Sequence, residues 1–304
     1  MEILSYAKVN LYLEITGRRP DGYHELITLM CGIELADTLR LQFDAADTAV
    51  TCPHPEVPED ERNLALKAAW LFFRETGINA SIRISIEKNI PPGAGLGGGS
   101  SNAAAVLTAL NSHYAAPLSA NALKTLSCRL GADVPFFIDG RPAIATGIGE
   151  HLTPWPHLAP APILVIYPQI PLSTARVYKS FNFGLTKNKK IPKKNTFRPP
   201  WESFPGSIER GNEKAKKWTS EPGDWLYNDL EAPAITILPA IAEIKQTLMA
   251  NHAIGALMSG SGSAVFGIYP DETTAERAYS KITRLDQNWR VYLSRLRCGQ
   301  ERAP

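Results

Sequence analysis

Residues 81–107 read SIRISIEKNIPPGAGLGGGSSNAAAVL, and five of the nine residues from Gly93 to Ser101 are glycine. The glycines themselves bring no side chain to a core. They let the main chain turn where other residues cannot and come close to whatever lies opposite. Its flanks narrow the use. Ser81 to Glu87 alternates, with Ile82, Ile84 and Ile86 on one face, which predicts a strand. Ala103, Val106, Leu107 and Leu110 then fall at helical spacing, and Ser100 or Ser101 is the expected N-cap. A strand, a glycine turn and a helix start in that order present unpaired N–H groups to an anion, so phosphate is the first expectation.

Several folds use that device. Gly93-Ala94-Gly95-Leu96-Gly97-Gly98 satisfies G-x-G-x-x-G, but a dinucleotide site also needs an acidic residue about 20 positions on to hold a ribose hydroxyl. From Gly99 to Ala132 there is no Asp or Glu. A Walker loop needs a Lys after its glycines, and here Ser100-Ser101-Asn102 follows. The protein-kinase signatures H-R-D-x-x-x-x-N and D-F-G are missing as well. What remains is an ATP site in which backbone donors and serine hydroxyls wrap the phosphates, with positive charge supplied from elsewhere.

Elsewhere, Ala7 to Ile15 alternates as a strand, placing Lys8 and Asn10 on its polar face. A helix is expected from Ser119 to Leu130, capped by Ser119 and stopped at Gly131. Asp133 follows, placed before Val134-Pro135 where it could cap a short helix. The proline-rich run TPWPHLAPAP at 153–162 marks a domain junction, with a buried strand ILVIYP after it. Helical spacing returns near Asn228 to Leu248 and after Glu272, and GALMSGSGSAVFGIY between them reads as a hairpin. Two lobes are expected, 1–155 and 156–304.

The 304 residues are 44% apolar, enough for a sizeable core, and the net charge of +2 gives no reason to invoke nucleic acid or a membrane. Residues 186–218 hold ten Lys or Arg against three Glu and read as a solvated insertion. Cys31, Cys52, Cys128 and Cys298 form no C-x-x-C pair, so neither zinc nor a disulfide framework is expected. Without a signal-like N-terminus, the chain reads as cytoplasmic.

Three ordered motifs, AKVNLYLEITGRRPDGYHEL, PPGAGLGGGSSNAA and MSGSGSAVFGIY, resemble those of the GHMP kinase superfamily of galacto-, homoserine, mevalonate and phosphomevalonate kinases. The resemblance covers most of the chain except 186–218. It implies a two-lobed α+β GHMP kinase fold, with an N-terminal ATP-binding lobe, a C-terminal substrate lobe and the active site in the inter-lobe cleft. The strings DGYHEL, GADVPFF and NDLE narrow it to members whose acceptor is a cytidine diphosphate sugar alcohol of isoprenoid precursor synthesis. A homoserine- or mevalonate-type acceptor and a non-catalytic nucleotide binder remain alternatives.

By this resemblance Lys8 and Asp133 are the catalytic pair and Asn10 positions the acceptor. Tyr23, His24 and Tyr178 are to hold the cytidine, since stacking a base on an aromatic ring contributes about 1–3 kcal/mol. ATP is to be held by Asn63, Lys88, Gly93, Gly95, Gly97, Gly98, Gly99, Ser100, Ser101, Gly260 and Ser261. Mg²⁺ is expected with the ATP, and no metal ligand is assigned. Without the resemblance, Lys8 would be a solvent-facing lysine on an edge strand and Asp133 a plain cap.

Overall fold

The computed structural model describes residues 1–156, 158–182, 226–286 and 288–298, so the basic 186–218 segment lies outside the described residues. The fold is organised by one long strand. β2 (His24–Phe43) pairs along one edge with β1 (Glu2–Arg18), antiparallel. Its other edge pairs in turn with β5 (Ala143–Gly147), β11 (Arg290–Arg297) and β4 (Ile82–Glu87). β3 (Ala49–Thr51) extends the sheet beyond β4, and β6 (His151–Pro154) pairs with β5.

β11 also pairs with β7 (Pro162–Tyr167), and β10 (Val265–Ile268) joins β7 to β9 (Gly255–Met258). The last of the described strands thus ties the sheet begun by the first to the sheet that follows the proline-rich run. The expected 255–269 hairpin is present as β9 and β10.

Helix α1 (Leu64–Thr76) buries Ala65, Leu66, Ala68, Ala69, Leu71 and Phe72 and closes on Gly77 in the left-handed region. α2 (Gly98–His113) packs its narrow alanine face, Ala103 and Ala104 with Val106 and Leu107, into the same core as α1 and β4. α3 (Ala120–Cys128) is capped by Ser119 as expected, but it ends two residues short of Leu130, on Arg129 rather than at Gly131. α4 (Val134–Asp139) follows, with Pro135 in its first turn, where a missing N–H costs nothing.

Beyond β7 come α5 (Thr174–Ser180), the two-residue strand β8 (Tyr227–Asn228) beside β1, α6 (Glu231–Ile237), α7 (Ala240–Ala250) and α8 (Glu272–Ile282). The helix expected across Asn228–Leu248 is two helices, because Pro239 sits between them and cannot donate its backbone hydrogen bond. These helices pack with β7, β9 and β10 on a second core, Ile166, Leu230, Ile241, Ile244 and Leu248 among its members. Among the described residues no helix is long and apolar enough to cross a membrane.

Candidate active site

The glycine loop ends differently from the expected serine cap. Gly97, at φ 73°, is the N-cap of α2, and no side chain caps the helix. The first-turn N–H groups are therefore claimed by no side chain, as an anion site needs. Neither Ser100 nor Ser101 is among the residues that line the adjoining cavity. With the helix started at Gly98, position 101 turns inward: Ser101 is buried, and its hydroxyl accepts a 2.7 Å bond from Ser5. The expected serine cap is thus corrected to Gly97.

The missing side chains make room for neighbours. A Cβ on Gly95 would sit 2.2 Å from the Ser259 carbonyl oxygen, and one on Gly97 would meet Phe137 at 2.7 Å and the Lys8 stem at 3.2 Å. The turn between β9 and β10 lies directly on the loop. Ser259 Oγ donates to Gly95 O at 3.0 Å, and Ala264 N donates to Ala94 O at 3.1 Å. Asn228 holds that turn by donating from Nδ2 to the carbonyls of Met258 and Gly260, both at 2.8 Å. A Cβ on Gly260 would lie 3.1 Å from Asn10 Oδ1 and 3.4 Å from Lys8 Nζ, while Ser261 shares a 2.8 Å hydrogen bond with Thr174.

Lys8 sits where loop and turn meet. It is buried in β1, with β2 alongside, so the reading as a solvent-facing edge lysine fails. Its ammonium donates to Asn10 Oδ1 at 2.5 Å and Gly95 O at 3.0 Å and lies 3.7 Å from Asp133 Oδ2. Asn10 is oriented in turn by donating to Thr28 Oγ1 at 2.8 Å, and Thr28 donates to Tyr12 O at 2.6 Å. Burial lowers the Lys8 pKa, and the charge and hydrogen bonding of Asp133 oppose that shift. Asp133 occupies the N-cap position of α4, yet its side chain caps nothing. Its carboxylate is 38% exposed against 4% for the Lys8 side chain, so the anion faces the cavity and the cation stands behind it.

The cavity encloses about 1250 Å³, more than the roughly 300–1,000 Å³ of a pocket for one small molecule. Its lining includes Asn63, Lys88 and the loop from Gly93 to Gly99, the aromatic residues Tyr23, His24, Tyr178 and Phe181, and Lys8, Asn10 and Asp133. Asn63 is engaged as the cap of α1, accepting from Ala65 N and donating to Pro58 O. Lys88 pairs closely with Asp37, a fully buried carboxylate that also accepts from Asn89 N and Ile90 N at 2.8 Å and from Asn102 Nδ2 at 2.9 Å. A Cβ on Gly98 would be 2.8 Å from Lys88 Nζ, which places that ammonium against the first residue of α2.

Among the aromatic residues, the His24 ring lies 5.2 Å from Tyr178 and meets Phe181 edge-on at 6.2 Å. Burial, then the charge of Asp133, raises the Tyr178 hydroxyl's pKa, so this aromatic corner lies within electrostatic reach of the Lys8–Asp133 pair. Tyr23 is 62% exposed at the cavity rim. Sequence reasoning missed Asp37, Thr28 and Phe181, and it quoted Asn228 only as part of NDLE, without a role. Among the described residues no cluster of His, Cys, Asp or Glu is built to hold a metal by itself.

Residues 63–141 match the GHMP kinases N terminal domain, and 216–287 match the GHMP kinases C terminal domain. A 4-diphosphocytidyl-2-C-methyl-D-erythritol kinase of Syntrophotalea carbinolica is 40% identical over 95% of this chain and 96% of its own length. The chain belongs to that kinase family. Another member, from Desulfitobacterium hafniense, is 39% identical over 97% of this chain and 95% of its own length. The crystal structure of a 4-(cytidine 5'-diphospho)-2C-methyl-D-erythritol kinase superposes with a TM-score of 0.76 at 37% identity, covering 97% of this chain and 99% of that one. A homoserine kinase from Cytophaga hutchinsonii, at 17% identity and a TM-score of 0.71 over 96% of this chain and 94% of that one, shares the fold. The family has the GHMP kinase fold and consists of ATP-dependent small-molecule kinases.

Proposed function

We propose that the chain transfers the γ-phosphate of ATP to a hydroxyl of 4-diphosphocytidyl-2-C-methyl-D-erythritol, a step in making isoprenoid precursors, and that it does so in the cytoplasm. The carrying observation is the 3.7 Å approach of Lys8 to Asp133 within bonding reach of the glycine loop, inside one cavity large enough for two ligands. In this reading residues 1–155 hold ATP and 156–304 supply much of the acceptor side.

The loop N–H groups from Gly95 to Gly99 and the Lys88 ammonium cradle the triphosphate. Asn63 acts by fixing the start of α1, since both ends of its amide are already engaged. His24, Tyr178 and Phe181 receive the cytosine ring, with Tyr23 closing over it from the rim. Phosphoryl transfer passes through a loose transition state, so alignment and charge stabilisation carry most of the catalysis. Asp133 orients the acceptor hydroxyl and takes its proton as the new P–O bond forms. Lys8 stands beside that carboxylate and meets the charge gathering on the moving phosphoryl oxygens. Asn10 and Gly260 fix Lys8 from the side.

Mg²⁺ fits this donor set as an ion held mainly by phosphate oxygens and water, for which one half-exposed carboxylate, Asp133, suffices. When bound it would neutralise charge on the β- and γ-phosphates.

The test is ADP release with a panel of acceptors. Turnover should depend on the cytidine diphosphate alcohol and be absent with homoserine, mevalonate and galactose. Equal turnover on one of those, or ATP binding without transfer to any acceptor, would overturn the reading.

A further inference from the structure

Two of the four cysteines, 267 residues apart in sequence, meet in the fold. Cys31 Sγ and Cys298 Sγ are 4.0 Å apart. Cys31 lies in β2 and Cys298 directly follows β11, and the antiparallel register of these strands pairs Leu296 with Ile33 and Arg297 with Gly32. One further step of that register sets Cys298 opposite Cys31. Residues so opposed have Cα atoms about 4.5–5.5 Å apart, inside the roughly 4.4–6.8 Å that a disulfide spans. The strand end is held in place by Arg297, whose guanidinium lies 3.5 Å from the centre of the Tyr6 ring.

The two thiols differ in access. Cys31 is fully buried and Cys298 is half-buried. The hydrogen bond with Cys298, and then burial, hold the Cys31 thiol well above the ordinary range, so it stays protonated and meets no outside reagent. Cys298 is the accessible member of the pair, with Cys31 behind it to resolve it; of the other two cysteines, Cys52 is buried in the α1–α2 core and Cys128 is exposed at the end of α3, with no cysteine partner beside it among the described residues.

We propose that Cys31 and Cys298 form a built thiol pair that takes a disulfide by exchange with a small-molecule disulfide. The Cys298 thiolate attacks one sulfur of the reagent, forming a mixed disulfide and releasing one thiol. Cys31 gives up its proton and attacks the Cys298 sulfur, forming the Cys31–Cys298 bond and releasing the second thiol. Two protein thiols are oxidised and one reagent disulfide is reduced to two thiols, so atoms and electrons balance. The cross-link fastens the C-terminal end of β11 to β2 at the residue opposite Val9, between the pairs Gly32–Lys8 and Met30–Asn10. It therefore restrains the strand pair that carries Lys8 and Asn10, and it closes a loop of nearly the whole chain, which limits the unfolded ensemble strongly.

The experiment treats the full chain with oxidised glutathione, quenches with acid, alkylates under denaturing conditions and measures intact mass and peptide linkage. The expected product has a Cys31–Cys298 peptide, no alkyl group on either of those two, and a raised melting temperature that falls back on reduction, while exposed Cys128 is free to carry glutathione by itself. Cys298→Ser should leave Cys31 alkylated and no melting shift, and Cys31→Ala should stop at glutathione on Cys298. Should Cys31→Ala fail to fold, the linkage map of the unmutated chain and the Cys298→Ser result decide alone. Free thiols at both Cys31 and Cys298, a lasting glutathione adduct on Cys298 beside a free Cys31, or a cross-link from either of them to Cys52 or Cys128 would each overturn the proposal.

Discussion

Replacing Gly95 with alanine tests the claim that the loop is bare so that the β9–β10 turn can lie on it. The added Cβ would stand 2.2 Å from the Ser259 carbonyl oxygen and 3.0 Å from both N and O of Gly262, all of them backbone atoms that cannot rotate aside. Loop and turn must separate by about 1 Å to reach ordinary contact. Gly95 also has φ 77°, where an alanine carries a strain of about 1–2 kcal/mol. Overpacking of this kind adds about 1–3 kcal/mol, for a total destabilisation of roughly 2–5 kcal/mol. The Gly95 carbonyl accepts from Lys8 Nζ at 3.0 Å, so the shift carries Lys8 away from the phosphates as well. A 1 Å misplacement of reacting groups costs on the order of 100-fold in rate. Gly77→Ala supplies the control, since its φ is 70° and nothing lies within 4 Å of the new Cβ. Thermal melts and ADP release should show Gly77→Ala losing only the strain, with turnover intact, and Gly95→Ala losing both stability and about 100-fold in kcat/KM. If the two variants behave alike, or Gly95→Ala turns over within a few-fold of the parent, contact between loop and turn does not organise the site.

Asp133→Asn should lower kcat by about 100-fold or more, the usual range for a positioned proton acceptor, and leave ATP affinity nearly unchanged; a loss below tenfold in single-turnover assays refutes its role. Asp37→Asn leaves the buried Lys88 ammonium without its counter-charge, which costs about 3–5 kcal/mol on melting. The same variant should raise the KM for ATP far more than that for the alcohol, and equal changes in both would mean that Asp37 serves stability alone. Because burial lowers the Lys8 pKa, turnover should fall on an alkaline limb that lies below the usual lysine range of about 10.4. Between the lowered folded value and the unfolded one, the unfolded chain binds the extra proton, so folding stability should rise with pH there, as melts across that window will show.

The local order of the site was legible because it is written in neighbouring residues: the Ile82–Ile86 alternation, the glycines and the alanine-rich helix are all present in sequence order. The N-cap was misread because serine normally takes that position, and only the tertiary crowding of Phe137 and Lys8 shows why glycine must. The approach of Lys8 to Asp133 joins residues 125 positions apart, and no period in the chain announces it; the motif resemblance suggested it. Asp37 did leave a signal. Cys31, Ile33, Leu35, Leu39 and Leu41 share its face of β2, and an acid in an apolar row must find a partner when that row is buried. Nothing in the sequence names Lys88 as that partner. Cys298 left no such mark, for spacing alone could not bring it to Cys31.

A phosphate loop with no lysine of its own has to import positive charge, and the two lysines here arrive by different physics. Lys88 stands five residues before Gly93 and comes with a full counter-charge in Asp37, so the pair is close to neutral and can be buried at the helix start. Lys8 faces a carboxylate that is half in solvent, and its compensation is incomplete, which is why burial dominates its pKa. A cation that is poorly compensated in the empty site gains most when negative charge arrives. The triphosphate and the charge that develops on transfer supply what Asp133 does not, so Lys8 contributes more to the transition state than to the resting fold. That division makes Lys88 a holding charge and Lys8 a working one, and it requires the first strand, the glycine loop and the β9–β10 turn to meet at a single point.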